Sequence, residues 1–178
     1  MPTSQRVRPG SSEYAPFYHG YVSSVPDGDV VDFLRTGGRE LVSAIAAIPD
    51  ERGGFRYAAD KWTIREVVGH LIDAERIFTY RALRVARGDE TPLPGFEENS
   101  YVRTAGSDAR TIADLAEELR IVRESSVRLF DSLPVDAWAR RGTASNAGIT
   151  VRAIAYIVAG HAAHHLRILR ERYGVEQR

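Results

Sequence analysis

His161 and His165 stand four residues apart in a stretch that reads as helix. His70 stands about 90 residues upstream in a second such stretch. Four residues carry a helix about 40° past one full turn, so His161 and His165 project from one face. That face is also the apolar stripe, because His161 is in heptad phase with Ile154 and Ile168, and His165 with Val158. Imidazoles pointing into a core need a partner there, and a metal ion is the leading one. The i, i+4 pair is the spacing by which one helix supplies two ligands. His161 with His164, at i and i+3, is a second pair of that kind. His70 lies between Val67 and Ala74 in helical phase, so it borders the buried seam of its own helix and can supply a third ligand. Three neutral imidazoles from two helices leave at least one coordination position open, which suits catalysis better than a sealed structural site. The plainer alternative is a set of hydrogen-bonded core histidines.

The chain has no cysteine, so a metal would be held by nitrogen and oxygen alone: zinc, nickel or iron. Such an ion can lower the pKa of a bound water to near neutrality, or take up an incoming thiol as the thiolate. Around the histidines, Glu66, Asp73 and His164 are candidates to hold a ligand's distal N–H. Helical acids of this kind more often pair with neighbours such as Arg65 and Arg76. Arg76, Tyr80, Arg81, Arg84 and Arg87 run along the helix of His70. They could form an anion site, or be surface ion-pair partners worth less than about 1 kcal/mol each. Asn99 and Tyr101, in a long connection, are candidates for the pocket mouth. Arg76, Tyr80, Asn99 and Tyr101 are thus the expected substrate or anion contacts. No Gly-rich phosphate loop, nucleophile elbow or nucleic-acid motif is present.

Four helices of roughly 20 residues must carry these groups. The first starts after Pro26-Asp27-Gly28-Asp29, carries Phe33, Leu34, Leu41, Ile45 and Ile48, is weakened by Gly37-Gly38, and ends at Pro49. The second opens with a capping box, Thr63 and Glu66, and Trp62 with Val67 fits a hydrophobic staple. It runs to Gly88. The third opens at Thr111, keeps a heptad through Ile112, Leu115, Leu119, Val122, Ser126, Leu129 and Leu133, and stops at Pro134. Asp136-Ala137-Trp138 suggests a short extra turn, followed by a Gly/Asn/Ser loop to Gly148. The fourth begins at Thr150 and ends at Gly174. No strand is expected, so the fold class is all-α, a four-helix bundle. Residues 1–12 read as a flexible tail and 13–178 as a single domain. An aromatic patch, Tyr14, Phe17, Tyr18 and Tyr21, is expected to pack outside the core or in a dimer contact.

The bulk numbers exclude several classes. With 178 residues, 43% hydrophobic and 27% charged, the chain can bury a real core. Lysine plus arginine equals aspartate plus glutamate, 24 each, so overall charge draws it to neither nucleic acid nor an anionic membrane. No secretory leader and no transmembrane run is visible, which makes the cytoplasm the default location.

Two stretches resemble the paired signatures of the DinB-like superfamily of DinB/YfiT-type metalloenzymes. The first is Lys61 to Asp73, Lys-Trp-Thr-Ile-Arg-Glu-Val-Val-Gly-His-Leu-Ile-Asp; the second is Gly160 to His165, Gly-His-Ala-Ala-His-His. The likeness extends through Arg76-Ile77-Phe78, Arg84 to Asp89 and Leu93 to Phe96, and covers about Tyr14 to Tyr173. It implies an up-down-down-up four-helix bundle, often dimeric, with a divalent metal on His70, His161 and His165 and with His164 as a non-ligand. It also implies a range of reactions: bacillithiol or mycothiol S-transfer, a mycothiol-dependent isomerisation, or metal-dependent hydrolysis. The expected function is a metal-dependent transfer of a low-molecular-weight thiol to a small electrophilic substrate. The alternatives are hydrolysis by an activated water, and a non-catalytic homodimeric stress-response binding protein.

Overall fold

The computed structural model describes residues 6–176. Helix α1 spans His19–Ser24, α2 Val30–Ala46, α3 Ile64–Ala86, α4 Glu98–Thr104, α5 Ile112–Asp131 and α6 Val151–Tyr173. The four long helices begin where side-chain oxygens can take the free first-turn amides. Asp29 accepts from the Val31 amide, Thr63 from Glu66, Thr111 from Asp114 and Thr150 from Ala153. The Thr63/Glu66 box is reciprocal, with the Glu66 carboxylate accepting from the Thr63 amide at 2.7 Å. Gly174 closes α6 in the left-handed conformation at φ 65°, a cap that suits glycine.

Helices α2 and α3 each pack against both α5 and α6, so the order around the bundle is α2–α5–α3–α6 and the consecutive pair α2/α3 sits on a diagonal. Helix α1 lies across α6, and α4 lies against α3. The apolar core falls into two clusters. One contains Leu34, Ala74, Phe78, Phe130, Trp138 and Tyr156; the other contains Leu41, Ile64, Leu71, Leu119, Leu166 and Leu169. They meet midway along the bundle, between Leu34 and Leu41 on α2, Ile72 and Ala74 on α3, Val122 and Val127 on α5, and Ala159 and Ala162 on α6. His70, Glu75, Arg123, Ser126, His161 and His165 are buried polar groups at or beside that level.

Several expectations need correction. Strand β1, Arg141–Ala144, pairs antiparallel with β2, Ala147–Thr150, where a plain loop was expected. The turn residues Ser145 and Asn146 both have positive φ, 51° and 63°, as a two-residue hairpin turn requires. The long connection after Gly88 holds α4, and its Leu93 bridges Ala144 of the hairpin. Gly37-Gly38 does not break α2. A Cβ on Gly38 would come within 2.6 Å of Arg123 Cγ, so the missing side chain is what lets Arg123 cross beneath α2. Of the expected N-terminal tail, residues 1–5 lie outside the described residues. From Arg6 onward the chain is held: Arg6 reaches Asp29 and Asp131, and Arg8 donates to the carbonyls of Val22 and Val25. Glu13 is buried and accepts from Gly10, Thr150 and Arg152. Burial pushes its carboxyl up, but Arg152, the Gly10 amide and Thr150 outweigh that and hold it low.

Candidate metal centre

His70 rides the middle of α3, and His161 and His165 ride the middle of α6, where the two helices pack together. The three rings meet. Their centroids lie 5.0 Å apart for His70 with each of the others and 4.6 Å apart for His161 with His165. One nitrogen from each ring falls within 4.8 Å of the other two, and His70 Nε2 is 3.0 Å from His161 Nε2. Zinc–nitrogen bonds of about 2.0–2.1 Å at ordinary coordination angles put ligand nitrogens roughly 3.0–3.4 Å apart. The set therefore needs only small adjustments to close on one ion.

Burial sets the protonation state. The three residues are 4%, 6% and 9% exposed. Desolvation lowers the His70 pKa to about 4 and that of His165 to about 3, the latter helped by His70 and His164. His161 is pushed well below its ordinary value by burial, then by the neighbouring imidazoles and Arg123. At neutral pH all three rings are uncharged, the form a metal needs; His70 Nε2 and His161 Nε2 share a hydrogen bond, which a tautomer change must release for both to face one ion. His165 Nδ1 is buried without a hydrogen-bond partner, a group that protein interiors seldom leave unmatched. Donor chemistry, spacing and this orphaned nitrogen fit a divalent cation.

Aromatic rings fix the imidazoles and shape the space before them. Tyr21 meets His161 edge-on at 5.4 Å, Phe78 meets it at 5.9 Å, and Trp62 packs on His70 at 4.8 Å. A cavity of about 300 Å³ opens onto His70 and His161. Its walls are Phe17, Tyr18, Tyr21, Phe78 and Phe96, with Glu97, Glu98 and Ser145 as the polar groups. The N-terminal aromatic patch thus walls the cavity. Helix α1 comes this close because residue 160 is glycine: a Cβ there would overlap the Tyr21 carbonyl. Burial, then the charge of Glu98, raises the Tyr21 hydroxyl pKa.

A family model of the DinB superfamily matches residues 34–169, most of the bundle and all three histidines. The chain belongs to the DinB superfamily. Among solved structures it is similar to YfiT from Bacillus subtilis, described as a probable metal-dependent hydrolase with an unusual four-helix bundle topology. The identity is 20% and the TM-score 0.73, covering 98% of this chain and all of that one. At that identity the likeness speaks for the fold. No curated protein matches the sequence.

Within this DinB-superfamily bundle the other candidate residues scatter. Glu66 is taken up by the α3 cap. Asp73 is half-buried on α3, and burial raises its pKa against the pull of Arg76. His164 touches Tyr21, and its Nδ1 accepts from Arg167 at 3.3 Å, outside the triangle of rings. Arg76 pairs with Glu118 at 2.6 Å, and Tyr80 bonds Arg84, both on the outer surface. Asn99 bonds Glu97 within the first turn of α4, and Tyr101 packs on Phe96. None of these last four lines the cavity. The wall residues Phe96, Glu97, Glu98 and Ser145 were not singled out from sequence, because they come from short segments without periodicity. Arg81 is the exception among the arginines of α3, being buried rather than at the surface. Its phase, between Phe78 and Val85, was the available signal.

Proposed function

We propose that the chain is a metal-dependent enzyme in which His70, His161 and His165 hold one divalent ion, zinc, nickel or iron. In this reading residues 13–178 act as one domain on a small molecule. The observation that carries the reading is the convergence of three buried, uncharged imidazoles, two of which, His70 and His161, line an aromatic-walled cavity. A bound cation would supply Lewis acidity, by which a coordinated thiol or water gives up its proton near neutral pH. The chain's own residues do the rest. Burial keeps the imidazoles unprotonated, Tyr21, Phe78 and Trp62 hold their planes, and aromatic rings flank the space in front of them.

The reaction proposed is transfer of a low-molecular-weight thiol to an electrophile. An attacking thiolate needs no general base, and no free imidazole lines the cavity beyond the proposed ligands. Hydrolysis is the second reading. It is favoured by the description of the structural neighbour and by Glu98, an exposed carboxylate on the cavity wall suited to take a proton from water.

Metal analysis of protein purified without a metal-affinity tag tests the shared premise, with about one ion per chain expected. Conjugation of monochlorobimane with a set of bacterial thiols then tests transfer, and an ester and amide panel with and without chelator tests hydrolysis. Thiol-dependent conjugation that disappears in His161→Ala supports the first reading. Chelator-sensitive hydrolysis without thiol selects the second. Metal-free protein, inert in both panels and unchanged by the substitution, overturns both and leaves a non-catalytic binding role.

A further inference from the structure

Arg81 is 2% exposed, and among the described residues no carboxylate pairs with it. Its Nη2 donates to the Pro94 carbonyl at 2.7 Å and to Ser145 Oγ at 3.2 Å. Its guanidinium lies 5.8 Å from the Phe78 ring centre and 5.9 Å from that of Phe96. A buried cation without a counter-ion carries a desolvation cost of several kcal/mol, which one carbonyl and two ring faces offset only in part. The other deeply buried arginine, Arg123, has Glu75 at 2.7 Å. Three of the groups that touch Arg81, namely Phe78, Phe96 and Ser145, are walls of the histidine cavity, so its positive charge stands directly behind that wall. Ser145 accepts from Arg81, which leaves its own O–H to donate. The hairpin turn holds this serine at φ 51° with its amide bonded to the Leu93 carbonyl, so the hydroxyl has a fixed place.

We infer that Arg81, acting through and beside Ser145, anchors a single carboxylate on an apolar, ring-sized guest of the histidine cavity. The inference rests on reading that cavity as the substrate site, and it adds the substrate class. The aromatic walls and the volume of about 300 Å³ suit a body of benzene size. Glu97 and Glu98 on the exposed part of the wall repel a second negative charge, so the guest is a monocarboxylate with a neutral or cationic outer end.

The test is calorimetric titration of the full chain with benzoate, its neutral isostere benzamide, and terephthalate, once after chelator treatment and once loaded with zinc. The expected result is that chelator-treated protein binds benzoate at least about ten-fold more tightly than either other compound. Arg81→Met should bring benzoate down to the benzamide level without changing zinc uptake. Because Arg81→Met also cuts the tie between Pro94 and Ser145, the wild-type ratio stands as a measure that needs no variant. Ser145→Ala, which leaves Arg81 in place, should weaken benzoate several-fold. Equal affinity for benzoate and benzamide, or no binding of either, overturns the inference, as does an unchanged ratio in Arg81→Met. A preference that appears only with zinc also overturns it, since the carboxylate is then a metal ligand. Zinc uptake without the benzoate preference sinks this inference and leaves the metal reading standing. The reverse result does the opposite.

Discussion

Two polar clusters occupy the same middle level of the bundle, and they are built differently. On the α2/α5 side, Arg123 reaches Glu75 at 2.7 Å and the Leu34 carbonyl at 3.3 Å, so positive charge meets negative inside the protein. On the α3/α6 side, three imidazoles meet with no acid among them. Each cluster keeps buried polar atoms without a partner, Glu75 Oε1 and Arg123 Nε in the first and His165 Nδ1 in the second, so charge matching is what separates them. His70 and Glu75 sit five positions apart on one helix, yet face these two different surroundings. The first cluster neutralises its own charge; the second gathers three neutral nitrogen donors with no counter-charge. The larger groove of the molecule, about 650 Å³, lies on the ion-paired side, lined by residues including Arg35, Arg39 and Arg120. Size alone would point there, whereas donor chemistry points to the smaller cavity. A buried charge matched by an opposite charge of the same chain serves the fold, whereas a set of neutral donors with no counter-charge is available to a cation.

The sharpest way to break this contrast is to exchange the two losses. His161→Ala should take metal uptake from about one ion per chain to near zero, while chelator-treated protein unfolds close to the wild-type midpoint. Metal analysis and thermal melts read the two outcomes. Glu75→Ala should do the reverse. It leaves Arg123 buried without a counter-charge and should cost about 3–5 kcal/mol in denaturant unfolding, with zinc stoichiometry retained. If Glu75→Ala loses metal as readily as His161→Ala does, the clusters are one unit and the distinction fails.

Acid should then act on the imidazole side. His70 has a folded pKa of about 4 against about 6.5 for an unfolded chain, so the unfolded state binds more protons between those values. Metal-free protein should hold its stability above about pH 6.5 and lose it as pH falls, the share of His70 being complete near pH 4 and that of His165 near pH 3. The full contribution of His70 alone is on the order of 3 kcal/mol. Denaturant midpoints measured across that range check the sign, and a flat profile would show that the rings have found protons or partners elsewhere. The smallest effect is expected at Gly38→Ala, where the new methyl group must push on Arg123, at about 1–3 kcal/mol. Combining it with Glu75→Ala should give less than the sum, because both act through Arg123.

The four long helices were legible because each announces its own ends. Thr63 with Glu66, Thr111, Thr150 and Gly174 are local signals that need no tertiary context. The histidine triangle was legible for a related reason: helical phase fixes direction, and three phases agreed. The cavity was not. Apart from Phe78 on α3, its walls come from residues 17–21, residues 96–98 and the hairpin tip, pieces too short for a period, whose places are set by contacts far away in sequence. Ser145 and Asn146 carry the hairpin turn without the glycine that usually marks one. Arg81 was grouped with its neighbours on α3 because arginine normally faces water, and only the packing of Phe78 and Phe96 shows otherwise.

Helix α1 is only six residues long and rests on α6 through the bare backbone of Gly160. The imidazoles stand on scaffolding that α1 does not share. Exchanging Phe17 or Tyr18, neither of which touches an imidazole of the triangle, would therefore redraw what the chamber admits while its reactive floor stays in place. A lineage could in this way try new guests by editing a cover strip, without rebuilding the hearth beneath.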